Sequence, residues 1–213
     1  MKILALADLH SEWVVIDILK HHLKNNKYDF ITISGDFITK KPISYVKELL
    51  EILKNQKVFA VRGNCDPLEL KDILGKLCIE GKNKKIGDYN ISGVGGSIIH
   101  DDKMLNEKTE EEFEKELSKL KINNNTIFIS HSPPFGILDQ AFDFTHIGSK
   151  SIKKMIEKKQ PFLFICGHVH EECDFKKVGK TIVVNLPPAN KLKAGIIYIT
   201  EQINDIKIEF IDL

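Results

Sequence analysis

The chain has 213 residues, 42% hydrophobic and 29% charged, enough to bury roughly 70% of the surface its unfolded form would expose. Its 31 basic and 30 acidic residues leave a net charge of +1, which argues against nucleic-acid binding through bulk charge, and Arg62 is the only arginine, so planar forks for bidentate phosphate contacts are scarce. No apolar run reaches the about 18 residues of a membrane span, the acid-broken opening does not read as a secretory signal, and four scattered cysteines read as thiols of a reducing, cytoplasmic compartment.

The first apolar run, residues 3–7, has the composition of a strand buried on both faces and ends in Asp8-Leu9-His10. Val15, Ile18, Leu19 and Leu23 then form a helical stripe. Residues 30–33 make a second run, ending in Ser34-Gly35-Asp36, and Ile43, Val46, Leu50 and Leu53 a second stripe. The third run, residues 58–61, ends in Arg62-Gly63-Asn64-Cys65-Asp66, and the lysine-rich residues 82–85 read as a solvated hairpin tip. Thr109 and Glu112 have capping-box spacing ahead of Phe113, Leu117 and Leu120. Residues 127–129 end in Ser130-His131-Ser132-Pro133-Pro134, and Ser149 caps a helix carrying Ile152, Met155 and Ile156. Residues 162–166 end in Gly167-His168-Val169-His170. Segments 181–184, 195–199 and 205–211 read as strands with no helix between them, the last half-exposed because Ile206, Ile208 and Phe210 alternate with Lys207 and Glu209. A βαβ front and a β-rich end give one α/β domain over residues 1–213, helices outside and two sheets in the middle.

Five strands thus each deliver an Asp, Asn or His at the carboxyl end, where open α/β sheets carry their ligand sites. The spacing of two within Asp8/His10 and within His168/His170 points each pair to one side if strand geometry persists. The donors are nitrogen and oxygen with no thiolate required, which suits divalent Mn, Fe, Zn or Ni. They are too many for one catalytic ion with an open position and about right for two ions sharing a carboxylate. Cys166 and Cys173, with no second pair nearby, make a poor zinc site and, like Cys78, read as small buried side chains. Arg62 reads as structural, His21 and His22 as surface residues of a helix, and His100 as part of a loop bordering the site.

Asp8-Leu9-His10, Gly35-Asp36, Gly63-Asn64-Cys65-Asp66, His131 and Gly167-His168-Val169-His170 together resemble the signature of calcineurin-like metallophosphoesterases. The stretch from Ser132 to Asp139, with His146-Ile147-Gly148-Ser149, resembles the small prokaryotic Icc-like branch. The resemblance implies a four-layer α/β/β/α sandwich of two mixed sheets. It implies one metal on Asp8, His10, Asp36 and His170 and a second on Asp36, Asn64, His131 and His168, with Asp36 bridging. It also implies in-line attack on a small phosphoester by a hydroxide shared between the ions, Asn64, His131 and His168 serving the transition state and the metals. Many members carry a histidine after Gly-Asn that protonates the leaving oxygen; here that position is Cys65, so His146 and Cys65 are the candidate acids. Losing the histidine hurts good leaving groups least, which leans the expectation to phosphodiesters over monoesters. A non-catalytic scaffold of the same fold is the competing reading, and the oligomeric state stays open. Asn185-Leu186-Pro187-Pro188 departs from the family's usual Asn-Pro-Gly turn, with Asn185 expected to cap that turn.

Overall fold

Every long apolar run becomes a strand in the computed structural model, which describes residues 1–39, 43–100, 104–200 and 206–213. In chain order the strands are β1 (Lys2–Leu6), β2 (Phe30–Ser34), β3 (Val58–Val61), β4 (Asn83–Ile86), β5 (Tyr89–Val94), β6 (Ser97–Ile98), β7 (Glu107–Lys108), β8 (Thr126–Ser130), β9 (Leu163–Cys166), β10 (Asp174–Val178), β11 (Thr181–Asn185), β12 (Lys193–Ile199) and β13 (Ile206–Asp212). The α-helices are α1 (Trp13–Asn25), α2 (Ser44–Leu53), α3 (Leu70–Leu74), α4 (Glu110–Ser118) and α5 (Lys150–Lys159).

One sheet has the order β13-β12-β1-β2-β3 and the other β10-β11-β9-β8-β5-β4; β6 and β7 form a small parallel pair. Both large sheets are mixed. β1, β2 and β3 run parallel, β12 is antiparallel to β1 and β13 to β12, and β5, β8, β9 and β11 run parallel between antiparallel edges.

Strand alternation sets the layers. Leu4 and Leu6 pack with Val15, Leu19, Val46 and Leu49 of α1 and α2. Ile3 and Ala5, on the opposite face of β1, meet Ile127, Ile129 and Ile165 of the other sheet. Phe128 and Phe164 stack at 5.7 Å and face Phe113, Leu117, Ile152 and Ile156 of α4 and α5. Three apolar seams therefore separate four layers, α/β/β/α. Each fully buried Ile or Phe contributes about 1.5–3 kcal/mol against exposure.

The expected caps are present. The Thr109 hydroxyl accepts from the Glu112 N–H (3.2 Å) while the Glu112 carboxylate accepts from the Thr109 N–H (2.8 Å). Ser149 Oγ accepts from the Ile152 N–H at 3.1 Å.

Three local readings need correction. The hairpin tip lies at Gly87-Asp88; residues 83–86 are the edge strand β4, whose lysines discourage pairing with another sheet. β10 was not legible because it is an exposed edge of Asp174, Phe175, Lys176 and Lys177. In α2, Tyr45 and Leu49 are buried and Leu50 only half-buried, because the aromatic ring turns the stripe toward Trp13 (5.4 Å, edge-on). A 3₁₀ turn, Ala189–Lys191, separates β11 from β12, and residue 205 of the expected last strand lies outside the described residues. No described helix is long and apolar enough to cross a membrane.

Candidate metal centre

The five motif loops meet at the carboxyl ends of β1, β2, β3, β8 and β9, at one end of the seam between the sheets. Backbone bonds hold them in register past the strands. The Asp8 N–H donates to Gly35 O and the His10 N–H to Asp36 O, both at 3.0 Å, and the Gly167 N–H donates to His131 O at 3.2 Å.

The side chains converge by a different route from the one the spacing suggests. β1 ends at Leu6 and β9 at Cys166, so strand geometry does not persist through either pair. Asp8 (φ 57°), His10 (φ 46°), Asp36 (φ 53°) and His168 (φ 77°) instead adopt left-handed backbone. Each such residue costs about 1–3 kcal/mol and persists where the surroundings over-determine it. Gly63 permits the closest approach: a Cβ there would lie 1.9 Å from Asp36 Oδ1 and 2.3 Å from the Asp36 nitrogen.

Asp36 divides its carboxylate between two rings. Oδ2 lies 3.7 Å from His10 Nε2, and Oδ1 lies 3.5 Å from His131 Nε2. Asp8 Oδ1 is 3.4 Å from His170 Nε2 and 3.8 Å from His10 Nε2, while Oδ2 accepts the His168 N–H at 3.1 Å. Asn64 Oδ1 is 2.8 Å from His131 Nε2, whose Nδ1–H donates to Ser34 O at 2.7 Å. The His131 ring thus turns a lone pair toward an amide oxygen, an arrangement suited to a cation or a protonated ring. Among the buried atoms at the site, His168 Nε2 has no partner, and Asp8 Oδ1 has nothing closer than the His170 ring at 3.4 Å.

Donor groupings that fit one ion are Asp8-His10-His170, Asp8-Asp36-His131 and His10-Asp36-Cys65. His168 joins none of them; its ring lies 4.9 Å, centroid to centroid, from His131. An orphaned buried nitrogen, a shared carboxylate and nitrogen/oxygen chemistry together fit divalent transition metals.

The rings divide: His131, which burial would lower, is raised by Asp36 and Asp8, and His170 is raised by its hydrogen bond to Asp8, while the other two go down. Burial, with His131 nearby, pushes His168 down to about 3, so its imidazole is neutral. Burial also lowers His10, against the pull of Asp36 and Asp8. Burial alone would raise Asp8, but the His170 hydrogen bond and the surrounding rings bring it below its ordinary value. Cys65 is half-buried, and burial together with Asp36 drives its thiol upward, so it stays protonated. Its backbone N–H donates to Asp36 Oδ1 at 2.9 Å.

Supporting residues were less legible. His10 Nδ1 lies 2.6 Å from Thr39 Oγ1. Buried Asp66 joins two motif loops, accepting from the Gly63 N–H (2.7 Å) and the Ile38 N–H (3.1 Å). Asn185 does not cap its own turn; its amide donates to Val169 O (2.7 Å) and Glu172 O (3.1 Å), clamping the loop that carries His168 and His170. Arg62 is structural, as expected, through Glu80. Of the remaining histidines, His22 of α1 meets through Nε2 the hydroxyl of Tyr28, beyond the helix end, and His100 is exposed. His146 Nδ1 donates to buried Asp139 at 2.7 Å. Cys166 and Cys173 enter no metal grouping among the described residues, and Cys78 lies in the core.

Comparison with known proteins places this geometry. The family model described as calcineurin-like phosphoesterase matches residues 1–172. The uncharacterized protein MJ1162 of Methanocaldococcus jannaschii is 37% identical over 200 residues, 88% of each chain. A dimetal phosphatase from Danio rerio superposes with TM-score 0.66 at 10% identity, covering 99% of this chain and 95% of its own. A novel archaeal phosphodiesterase superposes with TM-score 0.58 at 18% identity, covering 99% and 100%.

Proposed function

Because the chain belongs to the calcineurin-like phosphoesterase family, we propose that it is a dinuclear metal-dependent phosphodiesterase acting on a small phosphoester in the cytoplasm. The observation that carries the reading is the Asp36 carboxylate, one oxygen toward His10 and the other toward His131. One ion is assigned to Asp8, His10, Asp36 and His170, and the other to Asp36, Asn64, His131 and His168. Held by these residues, such a pair would stabilise the charge of an in-line displacement at phosphorus and supply a nucleophile at neutral pH. The chain's own part is positional. Asp36 fixes the separation of the two donor sets, and His131 is oriented by the Ser34 carbonyl. Asn64 turns Oδ1 toward His131, which leaves its amide N–H groups to meet a non-bridging phosphoryl oxygen.

Two points support a diester over a monoester. The protonated, half-buried thiol of Cys65 stands where relatives place an acid, which penalises poor leaving groups most. The archaeal structural neighbour is described as a phosphodiesterase. The second reading, a scaffold, draws on Phe142 and Phe144, which are 87% and 79% exposed.

The test is a metal-replete assay of bis-aryl phosphodiester against the matching monoester, with bound metal measured first. The proposal expects up to two transition ions per chain, faster diester turnover with Mn²⁺, and loss of both activity and metal in Asp36→Ala. Two ions retained by Asp36→Ala would overturn the shared carboxylate. No turnover by the fully loaded wild-type protein would favour the scaffold.

A further inference from the structure

Ten large apolar side chains are well exposed among the described residues, and eight of them lie at one end of the molecule. Two are in the first turn of α1, one lies just before α3, three between β6 and β7, and two between β8 and α5. These stretches follow the carboxyl ends of β1, β3, β5 and β8, the end at which the donors meet. The other two, Phe175 and Phe210, sit on the edge strands β10 and β13. Apolar side chains scattered singly need no explanation, but a set of them around one opening does. The opening is real, since the His10 and His170 side chains are 19% and 37% exposed.

Hydrogen bonds place the nearest of these residues against the donor set. The Asn106 N–H donates to Asn64 O and its side-chain amide to Gly63 O, both at 3.0 Å. Exposed Leu105 precedes Asn106, so covalent geometry alone puts its Cα within about 6 Å of that Asn64 oxygen. Leu68, three residues past Cys65, is held by the Arg62 guanidinium, which donates to its carbonyl at 3.3 Å. Trp13, three residues past His10, rests edge-on against Tyr45. Phe142 and Phe144 tip a hairpin whose base is pinned beside His131, where the Ser149 N–H donates to Pro133 O at 2.9 Å. One arm of it reaches the His170 segment, the Gln140 N–H donating to Glu172 Oε2 at 2.8 Å. His100 acts electrostatically on both His168 and Asp143, the residue between the two phenylalanines.

The hairpin tip is built to hold its rings out. Phe144 adopts left-handed backbone (φ 66°), uncommon for a bulky residue. Its N–H donates to Ala141 O at 2.8 Å, the Ala141 N–H donates to Thr145 O at 2.9 Å, and Asp143 accepts from both the N–H and the hydroxyl of Thr145. Strain of this kind gathers at ligand clamps, where the surroundings over-determine it. The charged residues directly flanking Trp13, Leu68, Phe142 and Phe144 are Glu12, Glu69 and Asp143, all acidic. That sign repels an anionic bilayer or a nucleic acid and leaves an uncharged apolar chain as the fitting occupant.

We propose that this rim binds the hydrocarbon chain of the substrate, an amphiphilic phosphodiester taken as a single molecule, with a long alkyl or acyl chain on one ester and a weakly basic leaving group on the other. The proposal rests on the phosphodiesterase reading and narrows it. An occupant that meets both the donor set and the rim beside it needs a phosphoryl group and an apolar arm in one molecule. With a thiol in place of the acid at position 65, the weakly basic oxygen is the one that leaves, so the chain stays on phosphorus. The bond to the leaving oxygen breaks and the bond to the water-derived oxygen forms. The leaving anion departs unprotonated and takes its proton from solvent. Water and diester become the chain-bearing monoester and a free hydroxyl compound.

The experiment measures kcat/KM on methyl, butyl, octyl and dodecyl para-nitrophenyl phosphodiesters, each below its critical micelle concentration. It is run with Mn²⁺ on wild type, the Phe142→Ser/Phe144→Ser double variant and Leu105→Ser, with bound metal measured in each. A fully buried methylene is worth roughly fourfold in affinity, so on an open rim the octyl ester should exceed the methyl ester by about 10²-fold, mainly through KM. Each variant should cut that octyl-to-methyl ratio by about tenfold while retaining its metal, and because the replaced side chains are exposed the fold is kept. A wild type that does not distinguish octyl from methyl, or variants that keep the full preference, overturns the rim and leaves the phosphodiesterase reading standing. A preference seen only above the micelle concentration overturns it in favour of a lipid surface. A dimer in sedimentation that the double variant dissociates overturns it in favour of a second copy of the chain. A wild-type protein inactive on the whole series overturns both.

Discussion

Arg62 and Glu80 make the most quantifiable prediction of the fold, because both side chains are almost wholly buried at 6% and 4% exposure. Arg62 Nε donates to Glu80 Oε1 at 3.0 Å and its terminal nitrogen to Oε2 at 2.8 Å, a two-point fork, while the Arg62 backbone N–H adds a third bond at 2.8 Å. Arg62→Met keeps most of the volume but leaves a buried carboxylate whose main cationic partner is gone. Breaking a buried pair from one side costs about 3–5 kcal/mol. Lys71 Nζ, 3.8 Å from Oε2 but half-exposed, offsets part of this, so the lower end is expected. In a chain of this length each kcal/mol moves the melting point by about 2–4 °C, which gives a fall of at least about 6 °C. Replacing both partners by methionine removes the orphaned charge and should recover most of the loss. Urea midpoints and thermal melts of the four proteins close the cycle. A single variant within about 1 kcal/mol of wild type, or a double variant no better than Arg62→Met, would refute the argument.

Gly63→Ala should lower both the melting point and the bound metal, by about 1–3 kcal/mol in stability, because the new methyl meets the backbone nitrogen of Asp36 at 2.3 Å; unchanged metal content and melting point would count against that packing. Glu80 also shapes the acid limb. Burial alone would raise its carboxyl, but the Arg62 hydrogen bonds hold it below its ordinary value of 4.5. Its contribution is therefore present above about pH 4.5 and is lost as pH falls through the lower folded value. Glu80→Gln should flatten that part of the stability profile in urea titrations, and an unchanged acid limb would show that the carboxylate is not held low. Cys65→His should raise monoesterase relative to diesterase turnover; no change in that ratio would mean that position 65 does not reach the leaving oxygen.

The strands and caps were legible because they are local. A run such as residues 163–166, or Thr109 with Glu112, carries its structural consequence in its own composition. The donors were legible for a related reason, since each follows directly on a buried strand. What escaped is what depends on neighbours that only the fold supplies. Asn185 acts on Val169 and Glu172 because β11 pairs with β9, and nothing in the sequence around it names those partners. Glu80 meets Arg62 across 18 positions, and Thr39 reaches His10 across 29. The left-handed backbone at Asp8, His10, Asp36 and His168 escaped for the opposite reason: local preference argues against it, and only the convergence of five loops holds it in place.

The centre draws donors from both sheets, and this has a consequence for the order in which the molecule comes together. The Asp8–His168 hydrogen bond spans 160 positions of chain and the Ser34–His131 bond 97. Closing such loops is an entropic expense that local contacts do not recover, so the full donor set exists only once the sheets have docked. Before β8 and β9 arrive, the chain would offer an ion only Asp8, His10, Asp36 and Asn64 from the first sheet, without His131, His168 and His170. Under the proposed function, metal uptake would therefore follow tertiary assembly. Since the ion binds the docked form alone, a concentration a hundredfold above its dissociation constant would add about 2.7 kcal/mol to the native state, drawn entirely from the joint between the two halves.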